Sequence, residues 1–153
     1  MLENLKPLNL PKANLILKSK EGILFVKDLI RAKYLVLTPE EWVRQHLISF
    51  FINQLGYPKT LFSIERGLNF YTRKKRTDLL VLDRKGKPWL LVECKASEVA
   101  ITEKTLQQVL AYNSYWRCPY VMMSNGLEHQ IFESNEESNF LKKLSDFPIY
   151  PIE

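Results

Sequence analysis

A chain of 153 residues with 46% hydrophobic and 25% charged side chains has the composition of one ordinary domain, long enough to bury a core without disulfide or metal staples. No apolar run approaches the ~20 residues that span a bilayer, and "MLENLKPLNLPK" lacks the apolar stretch of a signal peptide, so the expectation is a cytoplasmic protein with no membrane contact. The net charge of +5 permits a polyanionic partner without establishing one.

Along the chain, "NLILKSKEGILFVKD" alternates apolar and polar residues around "KSKEG" and reads as a β-hairpin. "TPEEWVRQHLISFFINQLG" then reads as a helix, with Thr38 as N-cap, Pro39 at the first helical position and Gly56 as the stop. Val43, Leu47, Phe50, Phe51 and Leu55 repeat at helical spacing and should face the core. "TLFSIERGL", "TDLLVLD" and "PWLLVECKA" read as strands, the last two joined by the turn "RKGK" with Gly86 at a position suited to positive φ. A second helix, "TEKTLQQVLAYNSYW", starts at the cap Thr102. Its residues Leu106, Val109, Leu110 and Asn113 share one side, and Gln108, Tyr112 and Tyr115 another. "PYVMMS" and "HQIFE" are strands flanking the turn "NGLE", and a short helix is expected around Phe140–Leu144 in the tail. The layout implies a mixed α/β fold, a sheet packed between helices, with a hairpin extension over residues 1–37, a core over 38–133 and a tail over 134–153.

The hairpin around "RKGK" places chemistry. With the turn centred between Lys85 and Gly86, Asp78 falls opposite Glu93 with Cβ atoms ~5 Å apart, and Arg76 falls opposite Lys95. Lys95 shares the face of Glu93 by the period of two, whereas Leu90, Val92 and Cys94 face the other way. Facing carboxylates repel unless they share a proton or a cation. A hard divalent ion such as Mg²⁺ takes one or two carboxylates and keeps several waters. A lysine beside it can orient a water and favours phosphate, so the pattern suggests metal-assisted phosphodiester hydrolysis. A register slip of one residue would instead put the two carboxylates on opposite faces. Against this stands the commoner case of an E-x-K pair on an exposed strand end. The apolar run before Glu93 and the aspartate across the hairpin weigh toward a site.

With these residues in view, "RTDLLVLD" and "GKPWLLVECKAS" resemble the PD-(D/E)XK nuclease core, in the variant found at the N-terminus of the motor subunit of type I restriction enzymes. "TPEEWVRQ", "QVLAY" and "MSNG" extend the resemblance from about Thr38 to Phe132. It implies a restriction-endonuclease-like sheet and an Mg²⁺-dependent DNA nuclease, with Mn²⁺ as the alternative ion. Asp78 and Glu93 would be metal ligands, the Cys94 carbonyl a third, and Lys95 the catalytic lysine. Gln108 and Tyr112 match the element that supports the site or contacts DNA, and Glu41 matches a helical acidic ligand. Thr77 replaces the family's usual proline, as is common in this variant. No translocating motor accompanies the core, so a stand-alone domain is expected, with a DNA-processing partner acting in trans.

Several of these residues fit structural roles as well. Glu41 suits the capping box of the first helix, reaching back to the Thr38 amide. Glu65 is a further acidic residue with no assigned place. The basic run Arg73, Lys74, Lys75 and Arg76 is either a solvated loop or hairpin tip, or a neutraliser of DNA phosphates, with Arg76 the strongest candidate. Trp116 reads as core, and His46 and His129 as structural. Cys94 and Cys118, which with the histidines make no zinc spacing, read as buried free thiols. Two further function classes stay open: a catalytically idle nucleic-acid-binding or adaptor domain, and an accessory protein whose basic surface meets an acidic partner.

Overall fold

Consecutive apolar residues in "LLVL", "WLLV" and "YVMM" leave these strands no polar face, so both sides need covering. A computed structural model, describing residues 5–64, 67–70, 73–76, 79–135, 137 and 140–152, supplies that cover. Strands β1 (Leu17–Lys20), β2 (Ile23–Lys27) and β3 (Tyr34–Val36) precede helix α1 (Pro39–Asn53). Then come β4 (Phe62–Ile64), β5 (Gly67–Phe70), β6 (Arg73–Arg76), β7 (Leu79–Leu82) and β8 (Pro88–Cys94). Helix α2 (Glu103–Trp116) leads to β9 (Tyr120–Ser124), β10 (His129–Asn135) and β11 (Phe140–Leu144).

The main sheet has six strands in the order β11-β10-β9-β8-β7-β4. β8 and β9 run parallel, and the other neighbours are antiparallel. A parallel pair needs a crossover, which α2 provides. Successive residues of the central strands go to opposite faces. Leu79, Val81, Leu90, Val92, Cys94 and Met122 pack with Val43, Leu47, Ile48 and Phe51 of α1. Leu80, Leu91, Val121 and Met123 pack with Val109 of α2, and Tyr112 and Trp116 lean on that second cluster. The result is the expected mixed sheet between helices. Large side chains buried this fully are each worth about 2–5 kcal/mol when cut back to alanine.

The helix ends follow their caps. Thr38 Oγ1 accepts from the Glu41 amide at 3.0 Å, and Gly56 lies past the helix end with φ +71°. Thr102 and Thr105 cap α2 reciprocally. Buried Asn113 explains a polar residue on the core side of α2: its side chain donates to the Cys118 carbonyl (3.0 Å) and accepts from the Cys118 amide (2.8 Å), closing the turn into β9. Both cysteines are buried free thiols, and burial pushes Cys118 up to about 12.

The first hairpin forms as expected, with Glu21 and Gly22 both at positive φ in its turn. β3 joins it to make a three-stranded sheet. This sheet is tied to α1 where the Leu29 amide donates to Gln45 Oε1 at 3.0 Å. Beside it, burial works against the Asp28 carboxylate, but the Ile30 amide and the Arg31 guanidinium hold it below its ordinary range.

Three expectations need correction. Phe140–Leu144 is a strand, not a helix, pairing Leu141 with Ser134 and Leu144 with Ile131. Leu141 and Leu144 are spaced as in a helical turn, but five residues cannot sustain a helix, and the open edge of β10 offers backbone partners instead. "TLFSIERGL" is not one strand: β4 pairs with β7, whereas β5 pairs with β6 in a separate two-stranded sheet. "RKKR" is neither loop nor hairpin tip but strand β6, since ladder bonds come from backbone groups that a basic sequence also has.

The tail closes over the α1 side. Phe147 meets Phe50 with ring centroids 4.9 Å apart, the Tyr57 hydroxyl donates to the Pro148 carbonyl, and the Tyr150 hydroxyl donates to the Leu82 carbonyl at 2.7 Å. Burial above all drives the Tyr57 phenol far up from its ordinary value. At the other terminus, Leu8 and Asn9 dock on the β9–β10 turn, where the Asn9 amide donates to the Gly126 carbonyl at 2.8 Å.

The His46 ring lies against Trp42, with Nδ1 2.8 Å from the Trp42 carbonyl, and burial holds its pKa below 6.5 despite that bond. The unfolded chain therefore binds the proton more readily, so stability present above the unfolded value is lost as pH falls through it. Urea titrations should show the unfolding midpoint declining from about pH 7.5 to about pH 5.5, with His46→Gln flattening the decline. Gly126 has φ +84°, and a Cβ there would meet Leu8 at 2.7 Å and Val43 at 3.2 Å. Gly126→Ala should cost about 1–2 kcal/mol from the backbone conformation alone, read from the same titrations.

Candidate functional site

β8 is covered on both faces through Val92 and then releases two charges at its end. Glu93 follows Leu91 onto the α2 face, where it pairs in register with Met123 of that face's cluster. Lys95, one residue beyond the strand, donates its amide to the Ser124 carbonyl at 2.8 Å, continuing the parallel ladder. Its Nζ stands 3.4 Å from Glu93 Oε1, with the two side chains 27% and 12% exposed. This is a half-buried ion pair at the mouth of the sheet, held by the strand's own alternation.

On the other side, β7 meets β8 through Leu79–Val92, Leu80–Leu91 and Val81–Leu90, the register implied by a turn centred between Lys85 and Gly86. A shift follows at Leu82, which pairs with Pro88. Gly86 has φ +79°, and the Asp83 carboxylate accepts from the Lys85 and Lys87 amides to close the turn. Asp78, the expected partner of Glu93, lies outside the described residues, as do Thr77 and Glu65. Arg76, expected opposite Lys95, has Gly67 as its described backbone partner, and Arg73, Lys74 and Lys75 complete that ladder.

The remaining expected residues separate into distinct environments. Gln108 is exposed on α2, whereas Tyr112 is half-buried against the α2-side core. Tyr115 is exposed, edge-on to Trp116, and Trp116 itself packs on the core. Glu41 is 2% exposed. Its amide completes the Thr38 cap, but its carboxylate pairs with the Arg44 guanidinium and accepts from Gln45 Nε2 at 3.2 Å. It thus makes half of a capping box, and the charge is taken up within α1.

A support missed in the sequence lies in "MSNG". Asn125, 6% exposed, donates from Nδ2 to the Val99 carbonyl at 2.9 Å and accepts through Oδ1 from the Leu127 and Glu128 amides. It clamps the segment after Lys95 to the β9–β10 turn. Ser124 Oγ accepts from the Gly126 amide at 2.9 Å and lies 2.7 Å from His129 Nδ1. The Asn9 carbonyl, 3.1 Å from His129 Nε2, can only accept. Nε2 therefore carries a proton. Asparagine before glycine signals the turn, but nothing in the local sequence points to Val99.

The donor chemistry at this end of the sheet suits a hard cation. Glu93 offers carboxylate oxygens at a half-open position, and an ion that keeps most of its waters needs only one or two such groups. Among the described residues no three His, Cys, Asp or Glu side chains gather to hold a metal.

With this geometry in hand, comparison with known proteins is specific. A family model described as the type I restriction enzyme R protein N terminus (HSDR_N) matches residues 39–148. Among solved structures, the chain is similar to a fragment described as a putative HsdR subunit of a type I restriction enzyme from Vibrio vulnificus YJ016. The TM-score is 0.51 and the identity 20%, over 73% of this chain and 24% of that one. Likeness at that identity shows the fold, and this chain spans about a quarter of the neighbour's length. No curated protein matches the sequence. Among the described residues, no helix is long and apolar enough to cross a membrane.

Asn125→Ala removes three hydrogen bonds at once and leaves the Val99 carbonyl and the Leu127 and Glu128 amides without their side-chain partner. The expected loss is about 1–3 kcal/mol, with faster amide exchange over Lys95–Val99 in hydrogen–deuterium exchange.

Proposed function

The chain belongs to the family of type I restriction enzyme R protein N-termini, and from that premise we propose that it is a Mg²⁺-dependent nuclease core acting on DNA. The observation that carries this reading is the Glu93–Lys95 pair, 3.4 Å apart at the end of a strand otherwise buried on both faces. The Leu79–Val92 register supports Asp78, next in the chain, as the second carboxylate. Glu93 and Asp78 would hold Mg²⁺, with Mn²⁺ as the alternative. When bound, the ion supplies Lewis-acid polarisation of the phosphodiester and acidifies a coordinated water.

The chain's own groups do the rest. Lys95, with three donors on its ammonium and no acceptor, orients the attacking water and offsets phosphate charge. Burial of the Leu90, Val92 and Cys94 face fixes the backbone beneath it, and Asn125 fixes the segment after it. We assign Gln108 to supporting the site, and Tyr112 and Arg73–Arg76 to the DNA. Glu41 would have to leave Arg44 and Gln45 to reach a metal, so we assign it to α1. The setting is the cytoplasm, with a DNA-processing partner in trans.

A second reading keeps the fold without turnover, as a DNA-binding adaptor within a larger assembly. Cleavage of plasmid DNA should require Mg²⁺ and fall about 10²–10⁴-fold in Asp78→Ala and Lys95→Ala. Activity that survives both substitutions overturns the mechanism. Absent cleavage with salt-sensitive DNA binding selects the adaptor, and absence of both leaves an acidic protein partner.

A further inference from the structure

The three-stranded N-terminal sheet takes no part in the site above, and its two faces differ. One face carries Val26, fully buried, with Leu17, Leu24 and Leu35 half-buried beside it. The register puts the opposite residues together on the outer face: Lys18–Phe25–Val36, Lys20–Ile23 and Lys27–Tyr34. Ile16 extends it, since its carbonyl accepts from the Lys27 amide at 2.9 Å.

Two features of this outer face are unusual together. Ile16, Ile23, Tyr34 and Val36 are 39–55% exposed, four of the ten large hydrophobic side chains exposed among the described residues. Every charged side chain in the paired rows is a lysine, and Lys18 Nζ sits 3.8 Å from the Tyr34 ring centroid. The neighbouring acids do not neutralise them: Glu21 lies out at the hairpin tip, and Asp28 is buried against Arg31.

We propose that this face binds a single-stranded nucleic acid, Lys18, Lys20 and Lys27 meeting phosphates while Tyr34 and Phe25 receive bases. Charge selects a polyanion, and it disfavours a second copy of this chain, whose lysines would oppose these. The apolar rows select a single strand over a duplex. A duplex shows phosphates but hides its base faces, leaving Ile23 and Val36 uncovered, whereas an unpaired strand lays base faces on an aromatic-bearing sheet. Lys18 already rests on the Tyr34 ring, so an arriving base takes its place there and the ammonium moves to the adjacent phosphate.

The proposal does not depend on cleavage at Glu93, and the test keeps the two apart. Binding of labelled oligo(dT), oligo(U) and a mixed-sequence duplex is followed by fluorescence anisotropy in EDTA, with Lys95→Ala as a second background. Oligo(dT) and oligo(U) should both bind more tightly than the duplex. Tyr34→Ala should weaken single-strand binding at least about fivefold and leave duplex binding unchanged. Lys18→Gln with Lys20→Gln should lower the slope of log affinity on log salt by about 1.4. Lys142→Gln with Lys143→Gln, on β11, is the control for net charge. Thermal unfolding of each variant at the parent's midpoint confirms that the sheet persists. The proposal is overturned if Tyr34→Ala binds like the parent, if the β11 pair weakens binding as much as the β1 pair, or if polyglutamate displaces oligo(dT) equally well. The last result would assign the face to an acidic protein segment.

Discussion

Burial of β8 from both sides is the constraint on which the other features depend. A strand with Leu90 and Val92 under α1 and Leu91 under α2 has no face that tolerates an unpaired charge. It can neither slide by a residue nor turn over without moving Glu93 into the α1 core. Parallel pairing to β9 requires α2 as a crossover, and the need to cover the opposite face requires α1. Where the cover stops, the first polar side chains are delivered at fixed height and on a fixed side.

Polar networks then hold what burial leaves loose. The segment after Lys95 crosses the end of the sheet, and Asn125 anchors it from the neighbouring turn. The N-terminal chain is stitched to that same turn through Leu8, Asn9 and His129. On the α1 side, Gln45 joins the N-terminal sheet to the helix while also contacting Glu41. The mouth of the sheet is thus surrounded by segments distant in sequence, each satisfying backbone groups that would otherwise be stranded.

Much of this was legible where local chemistry decides. Thr38, Pro39 and Thr102 announced both helix starts, and "RKGK" set the β7–β8 register that aligns Leu79 with Val92. Glu93 and Lys95 stood out because their charges interrupt an apolar run. What escaped depended on partners elsewhere in the chain. Leu141 and Leu144 satisfy a helical turn as well as a strand, and only the vacant edge of β10 decides between them. The bond from Asn125 to Val99 spans the whole of α2. Glu41 is instructive in the other direction, because Arg44 and Gln45 lie at the helical spacings i+3 and i+4 and were there to be read.

β11 brings a different kind of consequence. As the outermost strand it exposes backbone donors and acceptors to any extended chain that passes, the usual starting point of aggregation. Lys142 and Lys143 are exposed at its centre, so an identical strand from another molecule would approach against like charge. At the far edge, β4 is only three residues long. The sheet that presents the Glu93–Lys95 pair is thereby discouraged from growing at either side, and a chain crowded with its own copies keeps that mouth open.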